Sequence, residues 1–209
     1  VDSYGDGKNQ TVWVYENNNL KLVAESNDCL LARIYRFTTL YLGMRPNEHE
    51  YKVMGLSAYA KTEYSNHIKN KLKEIIKVDG LQITTNNPPT NLYEFLTEIY
   101  KGERFDNIAR GIQDLVEESI ENLVINISKK YGIKDFFYTG GVAMNVKVNQ
   151  KLFELEDVEK IIIPGAPDDQ SIAIGACLFY EAKNKEVPFN SVPNMYLGTK
   201  IENVVENDI

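Results

Sequence analysis

The run Tyr138-Thr139-Gly140-Gly141-Val142-Ala143-Met144-Asn145 carries the strongest chemical signal in this chain. Three β-favouring residues, Phe136, Phe137 and Tyr138, stop at two adjacent glycines, and Met144, Val148 and Leu152 then recur at the spacing of one helix face. A strand that turns through Gly-Gly into a helix can bring backbone N–H groups against an oxyanion. Glycine permits close approach, and a helix N-terminus carries partial positive charge. The ligand implied is a phosphate. A tight βα turn with nothing bound is the plain alternative.

A second signal lies about twenty-five residues on, where Ile161-Ile162-Ile163 is ended by Pro164-Gly165 and followed by Asp168-Asp169 and a run of small and apolar residues. An aspartate is favoured at a helix N-cap, and one suffices. Two beside a Gly-Gly turn also suit a metal or a polarised hydroxyl. Gly175 and Ala176 leave no bulk on that helix, which suits close packing or a ligand passing beside it. A third segment, Glu48-His49-Glu50-Tyr51-Lys52-Val53-Met54-Gly55-Leu56, packs charge, aromatic and glycine into the mouth of a short helix. It reads either as a solvated turn entering a core helix or as a cleft wall to which Glu50 and Lys52 contribute.

Other chemistries lack their residues. His49 and His67 are the only histidines, eighteen apart and in no paired ligand spacing, so both read as surface residues. There is no G-x-S-x-G, no Walker A run, and Gly5-Asp6-Gly7 lacks the spacing of a dinucleotide loop. Cys29 and Cys177 stand far apart in apolar surroundings and read as buried reduced thiols in a cytoplasmic protein.

The elements that must position these residues follow from periodicity. Thr11–Tyr15 and Leu20–Val23 flank Asn17-Asn18-Asn19, a hairpin signal, and Asp2 to Gly7 is a polar loop after what looks like a strand end. Helices are predicted over Cys29–Leu42, Lys52–Ala60, Ser65–Lys77, Leu92–Tyr100 and Asp106–Lys130, with a short strand over Gly80–Thr85. In the longest helix Ile108, Ile112, Leu115, Ile120, Leu123 and Ile127 keep a 3.6-residue rhythm that stops at Gly132. Strand 135–139, helix 142–152, strand 159–163 and helix 169–183 complete an order that predicts an α/β class, with a mixed sheet flanked by helices. After Pro188 the chain reads as a linker with an anchor at Tyr196-Leu197-Gly198.

With 209 residues and 43% hydrophobic composition, there is enough chain for one large domain or two small ones, and no apolar run reaches the length of a membrane span. Val1-Asp2-Ser3 has no basic n-region, so no leader is expected, and the non-methionine start suggests an excised piece, with a processed N-terminus as the alternative. A formal charge of -7 argues against nucleic acid as the main partner.

Several of these motifs coincide in one family. Glu50-Tyr51-Lys52-Val53-Met54-Gly55-Leu56-Ser57-Ala58-Tyr59 resembles the "EYKVMGLAPYG" segment of the O-carbamoyltransferases, which act in nodulation-factor, antibiotic and polysaccharide modification. Gly140 to Asn145 with Asn149 resembles their "GGVALN…N" turn, Asp169 to Ala176 their last helix start, and Tyr196-Leu197-Gly198 their "YLGP" segment. Val1 to Asp6 resembles their "DGxGE" loop, with Ser3 in place of a glycine and Asp6 in place of a glutamate. The matches are collinear along the chain.

The resemblance implies one subdomain, the second, of an actin/hexokinase/heat-shock-ATPase-like fold, over residues 1–185. Residues 186–209 would lead toward a C-terminal domain absent from this chain. It also implies ATP and carbamoyl phosphate as substrates and an acceptor that is a small molecule or saccharide. Gly140, Gly141, Val142 and Asn145 would sit at the nucleotide phosphates, Glu50 and Lys52 nearer the nucleoside, and Asp2 in the adjoining loop. Asp169 would ligate a divalent metal, iron or magnesium, together with histidines of an N-terminal subdomain absent here. A tRNA threonylcarbamoyl-transferase-like subdomain, a kinase-like ATPase and a non-catalytic module are the rival readings.

Overall fold

The computed structural model describes residues 1–184 and 198, and the linker segment, with Tyr196 and Leu197, lies outside the described residues. The chain divides into two units, Val1–Asp169 and Gln170–Ile209.

The first unit opens with an antiparallel hairpin, β1 (Gln10–Glu16) and β2 (Asn19–Ser26). Its two-residue loop, Asn17-Asn18, has positive φ at both positions (52° and 59°). That conformation matches the twist of the flanking strands, and asparagine tolerates it well. Val12 and Val14 face the interior, while Trp13, Tyr15, Leu20 and Leu22 stay exposed.

Helix α1 (Leu31–Tyr41) leads to α2 (Glu50–Leu56), a 3-10 turn at Ser57–Tyr59, and α3 (Thr62–Lys73). A second hairpin follows, β3 (Ile76–Asp79) and β4 (Gln82–Thr85), turning at Gly80. It corrects two expectations. Ile75 and Ile76 do not continue the helix, and the single strand expected over residues 80–85 is half of a hairpin. Both isoleucines are still buried, so the helical spacing was satisfied by a change of element rather than by one face.

Helix α4 (Leu92–Tyr100) begins at Asn91, whose side chain accepts the Tyr93 and Glu94 amides at 3.1 and 3.2 Å. Helix α5 (Phe105–Tyr131) ends at Gly132 in the left-handed conformation. It is the axis of the unit, packing against α1, α2 and α3. Ile108, Ile112, Leu115, Ile120 and Leu123 are all buried. Each isoleucine or leucine side chain so placed contributes roughly 1.5–3 kcal/mol of transfer free energy. Gly111 lets α3 approach closely: a Cβ there would lie 2.7 Å from Ile68 Cγ2.

Strand β5 (Asp135–Phe137) pairs in parallel with β6 (Lys160–Ile162). Between them a 3-10 turn (Gly141–Met144) precedes α6 (Val146–Phe153), which packs on α5. The class is mixed α/β, as expected. The single mixed sheet is not formed: the described residues hold three separate two-stranded sheets. Val1 and Asp2 lie between two of them. Asp2 N–H donates to Asn9 O at 2.8 Å, the Val1 amine donates to Thr139 O at 3.1 Å, and Val1 O accepts from Val142 N–H at 3.2 Å.

In the second unit the described element is α7 (Ser171–Asn184), which starts two residues later than expected and buries none of its residues. Cys29 is buried, and burial pushes its thiol up to about 11. Cys177 is exposed, contrary to the sequence reading, which took its apolar neighbours Ala176, Leu178 and Phe179 as a sign of burial. No helix among the described residues is long and apolar enough to cross a membrane.

Candidate functional site

The Gly-Gly turn is built by its neighbours in space. Gly140 has φ 99° and ψ 165°, a conformation open essentially only to glycine. A Cβ on Gly140 would lie 2.4 Å from the Val1 carbonyl oxygen. The amides of the turn are already engaged. Gly140 N–H donates to Pro167 O at 2.7 Å, Gly141 N–H to Asp2 Oδ2 at 2.7 Å, and Val142 N–H to Val1 O at 3.2 Å. Thr139 Oγ1 donates to the same Pro167 oxygen at 2.7 Å. The turn is thereby tied to the polar N-terminal loop on one side and to the loop carrying Asp168 and Asp169 on the other.

The helix expected directly behind the glycines is interrupted. Asn145 ends the 3-10 turn and caps α6, accepting the Lys147 and Val148 amides on Oδ1 at 3.2 Å each. Val148 and Leu152 are buried, but Met144 belongs to the 3-10 turn and is exposed. The i, i+4, i+8 match of Met144 was therefore fortuitous, because a cap resets the helix phase.

A cavity of about 580 Å³ opens beside this turn. Its apolar wall comes from Leu31, Ala32 and Tyr35 on α1, Met54 on α2, Val116 on α5, and Val142. Its polar rim holds Asp2, Ser3, Glu50, Asn145, Asp168 and Asp169, with Arg36, Asn47 and Glu48 nearby. The fold thus brings together Asp2, Glu50, Gly141, Val142, Asn145 and Asp169, whose segments are far apart in sequence. Two of the expected residues do not line it. Gly140 lies behind the turn, against Val1, and Lys52 is not among the lining residues, although its ammonium is 5.8 Å from the ring centroid of Tyr51, which is.

The carboxylates differ in their attachments. Asp2 is held by Gly141. Glu50 Oε1 accepts from Asn47 N–H at 2.7 Å, which folds the entry to α2 back on itself. Glu48 pairs with Arg45 at 2.8 Å. Asp169 is exposed and has no hydrogen-bond partner among the described residues, so it is not seen capping α7. Arg36 lies in the same cavity as five carboxylates yet has no ion-pair partner among the described residues. The histidines sit away from this site: His67 Nε2 is 2.7 Å from Glu103 Oε1, and His49 Nδ1 accepts from Arg45 N–H at 3.1 Å.

Whether this donor set fits a metal can be tested on its composition. No three histidine, cysteine, aspartate or glutamate side chains are grouped to hold an ion among the described residues. One carboxylate holds a metal weakly in water, so Asp169 does not make a metal site with the described residues alone. A nucleotide meets a different difficulty. Its phosphates would face Asp2, Glu48, Glu50, Asp168 and Asp169, with Arg36 as the cation on the cavity wall. Like charges in a partly desolvated cavity repel strongly unless a counter-ion accompanies the ligand.

Sequence reasoning missed Tyr35, Arg36 and Gln113. Gln113 is 1% exposed in the middle of the apolar rhythm of α5, and it bonds to Asn145. A polar residue beside Ile112 and Leu115 was the available signal. Tyr35 and Arg36 carry no local signal, because only packing decides which turn of α1 meets the cavity.

The sequence profile of the carbamoyltransferase N-terminus family matches residues 1–178. An uncharacterised protein of Methanocaldococcus jannaschii is 28% identical over 217 residues, covering 97% of this chain and 39% of that protein. The nodulation protein NolNO of Sinorhizobium fredii is 25% identical over 219 residues, covering 100% of this chain and 32% of its own length. The nodulation protein NolO of Bradyrhizobium diazoefficiens is 25% identical over 178 residues, covering 83% and 32% respectively. The chain thus spans about a third of the length of the curated relatives it matches. With the profile running from the N-terminal loop through the Gly-Gly turn to the last helix, this chain belongs to the carbamoyltransferase N-terminus family.

Proposed function

We propose that this chain supplies the nucleotide-binding part of an ATP-dependent carbamoyltransferase. The enzyme moves a carbamoyl group from carbamoyl phosphate, by way of carbamoyl-adenylate, to an acceptor hydroxyl on a small molecule or saccharide. The observation that carries this reading is the convergence of Asp2, Glu50, Gly141, Val142, Asn145 and Asp169 on one cavity of about 580 Å³, within the range of nucleotide-sized sites. The apolar wall suits the nucleoside, and the polar rim suits the ribose and phosphates. The position of Val1 and Asp2 between the β1–β2 hairpin and the β5–β6 pair supports an actin/hexokinase/heat-shock-ATPase-like subdomain, in which these strands belong to one mixed sheet.

In this reading Gly141 leaves room at the turn, and Asp2 holds the turn amide that would otherwise point at the ligand. Arg36 meets an anionic group, and Asp169 reaches a divalent metal, iron or magnesium, completed by ligands from outside the described residues. Such a metal, when bound, neutralises phosphate charge. The rest of the longer protein supplies the remaining metal ligands and the site that forms the adenylate, in a cytoplasmic setting. The test is pyrophosphate release by the full-length protein given ATP and a divalent cation. Release that depends on carbamoyl phosphate is expected, and ATP turnover indifferent to it would sink the assignment.

A further inference from the structure

We propose that Gln113 is a positioning residue for the cavity. It ties the Tyr35 phenol and the Asn145 amide, both of which line the cavity, into one network that fixes their orientation toward a ligand. The inference deepens the reading that the cavity binds nucleotide, and rests on it.

The orientation of the two amides follows from the ends of the network. Asn145 Oδ1 accepts the Lys147 and Val148 backbone amides, and a backbone N–H can only donate, so the oxygen of Asn145 must face α6. At the other end Gln113 Nε2 donates to Glu117 Oε1 at 2.8 Å, and a carboxylate accepts, so the nitrogen of Gln113 must face Glu117. The Gln113 oxygen then receives Asn145 Nδ2 and the Tyr35 hydroxyl, each at 2.9 Å. Gln113 Nε2 also reaches Asn145 Oδ1 at 3.1 Å, closing a reciprocal amide pair. Flipping either amide would set like groups against one another at one end.

Two consequences reach the cavity. Tyr35 spends its proton inward, and burial, with Glu117 and Glu50 adding to it, pushes its pKa far up, so it stays a neutral phenol with lone pairs to offer. Asn145 Nδ2 gives a proton to Gln113, and the Asn145 amide also hydrogen-bonds the Tyr35 phenol, so the two cavity-lining groups are tied to each other as well as to Gln113. Tyr35 and Asn145 line the cavity, whereas Gln113 is buried behind them and acts only through them. A phenol oxygen whose proton is turned inward suits a ligand group that donates, such as a ribose hydroxyl or a base amino group.

The test measures Mg·ADP affinity of the full-length protein from about pH 5.5 to about pH 8.5, for wild type and Gln113→Glu, across the range in which a buried carboxyl titrates. When protonated, the introduced carboxyl offers an O–H to Glu117 and a carbonyl to Tyr35 and Asn145, and forgoes only the second N–H bond, the one to Asn145 Oδ1. When ionised, it opposes both Glu117 and Asn145 Oδ1. The expected result is near-wild-type affinity at the low end and roughly tenfold weaker binding at the high end, with circular dichroism unchanged. A variant-to-wild-type ratio that does not change with pH overturns the positioning role while leaving the nucleotide reading intact. Failure of wild type to bind Mg·ADP overturns both. Should Gln113→Glu not fold, Tyr35→Phe carries the test: several-fold weaker binding at an unchanged melting temperature supports the proposal, and unchanged affinity overturns it.

Discussion

The carboxylate of Asp2 accepts the amide N–H of Gly141 at 2.7 Å, a bond that closes 139 residues of chain into one turn. Its other oxygen takes the Ser3 amide. One acidic side chain therefore organises both the N-terminal loop and the Gly-Gly turn. Asp2→Ala would leave the Gly141 amide without its partner, a loss of about 1–3 kcal/mol. Asp2→Asn retains a carbonyl acceptor. Thermal unfolding should show a larger drop for alanine than for asparagine. Equal melting temperatures would mean that the bond contributes nothing to stability.

The steric demand of the turn sits at Gly140, not at Gly141. Gly140→Ala combines a glycine-only backbone conformation with a Cβ 2.4 Å from Val1 O, and strain of this kind costs roughly 1–3 kcal/mol before any overlap is relieved. Gly141 lies in the 3-10 turn, where a Cβ would meet Asp2 Oδ1 at 3.2 Å. Gly141→Ala should therefore fold and act mainly on ligand affinity. Denaturant midpoints for the two variants check this, and a more damaging Gly141→Ala would reverse the assignment.

Asp169 is exposed and unbonded among the described residues, so Asp169→Asn should leave the melting temperature of metal-free protein nearly unmoved. If it ligates a cation, the neutral amide weakens that bond and carbamoyl transfer by the full-length protein should collapse. Near-normal activity of this variant would remove Asp169 from the metal site.

The two thiols should separate by rate. Cys177 is exposed and Cys29 buried, with its thiol pushed up to about 11. Near neutral pH, Ellman's reagent should modify Cys177 promptly and Cys29 only on unfolding. Two equally fast thiols would contradict the packing around Cys29.

Cys29 also sets a sign for alkaline stability. Its folded pKa lies above the unfolded value of 9.0, so the unfolded chain loses the proton first. The stability held below pH 9.0 is lost as pH rises toward about 11, by about 2–3 kcal/mol for a shift of this size. Tyr100 and Tyr138, raised by burial, act in the same direction from their ordinary value of 10.0. Chemical denaturation across this range should show falling stability in wild type and a shallower fall in Cys29→Ala.

Most elements were legible because their signals are local. The rhythm of Ile108 to Leu123, the Asn17-Asn18 turn and the Gly132 stop each depend on residues within one or two turns of chain. The errors arose where a local pattern had more than one physical solution. Ile75 and Ile76 could be buried on a helix or at the start of a strand. Met144 matched a helix face that a capping asparagine interrupts. Cys177 had apolar neighbours, yet it lies on a helix that buries none of its residues.

By itself the sequence determined the helices and hairpin, the α/β class, the position of the Gly-Gly turn and the residue types available for chemistry. These follow from backbone preference and from the periodicity with which apolar side chains reach a core. Tertiary structure decided which residues share the cavity. It joined Asp2 to Gly141 and Pro167 to Gly140, and set Gln113 behind Tyr35 and Asn145. Those relationships are hydrogen bonds between segments up to 139 residues apart, and no local preference encodes which distant donor meets which acceptor.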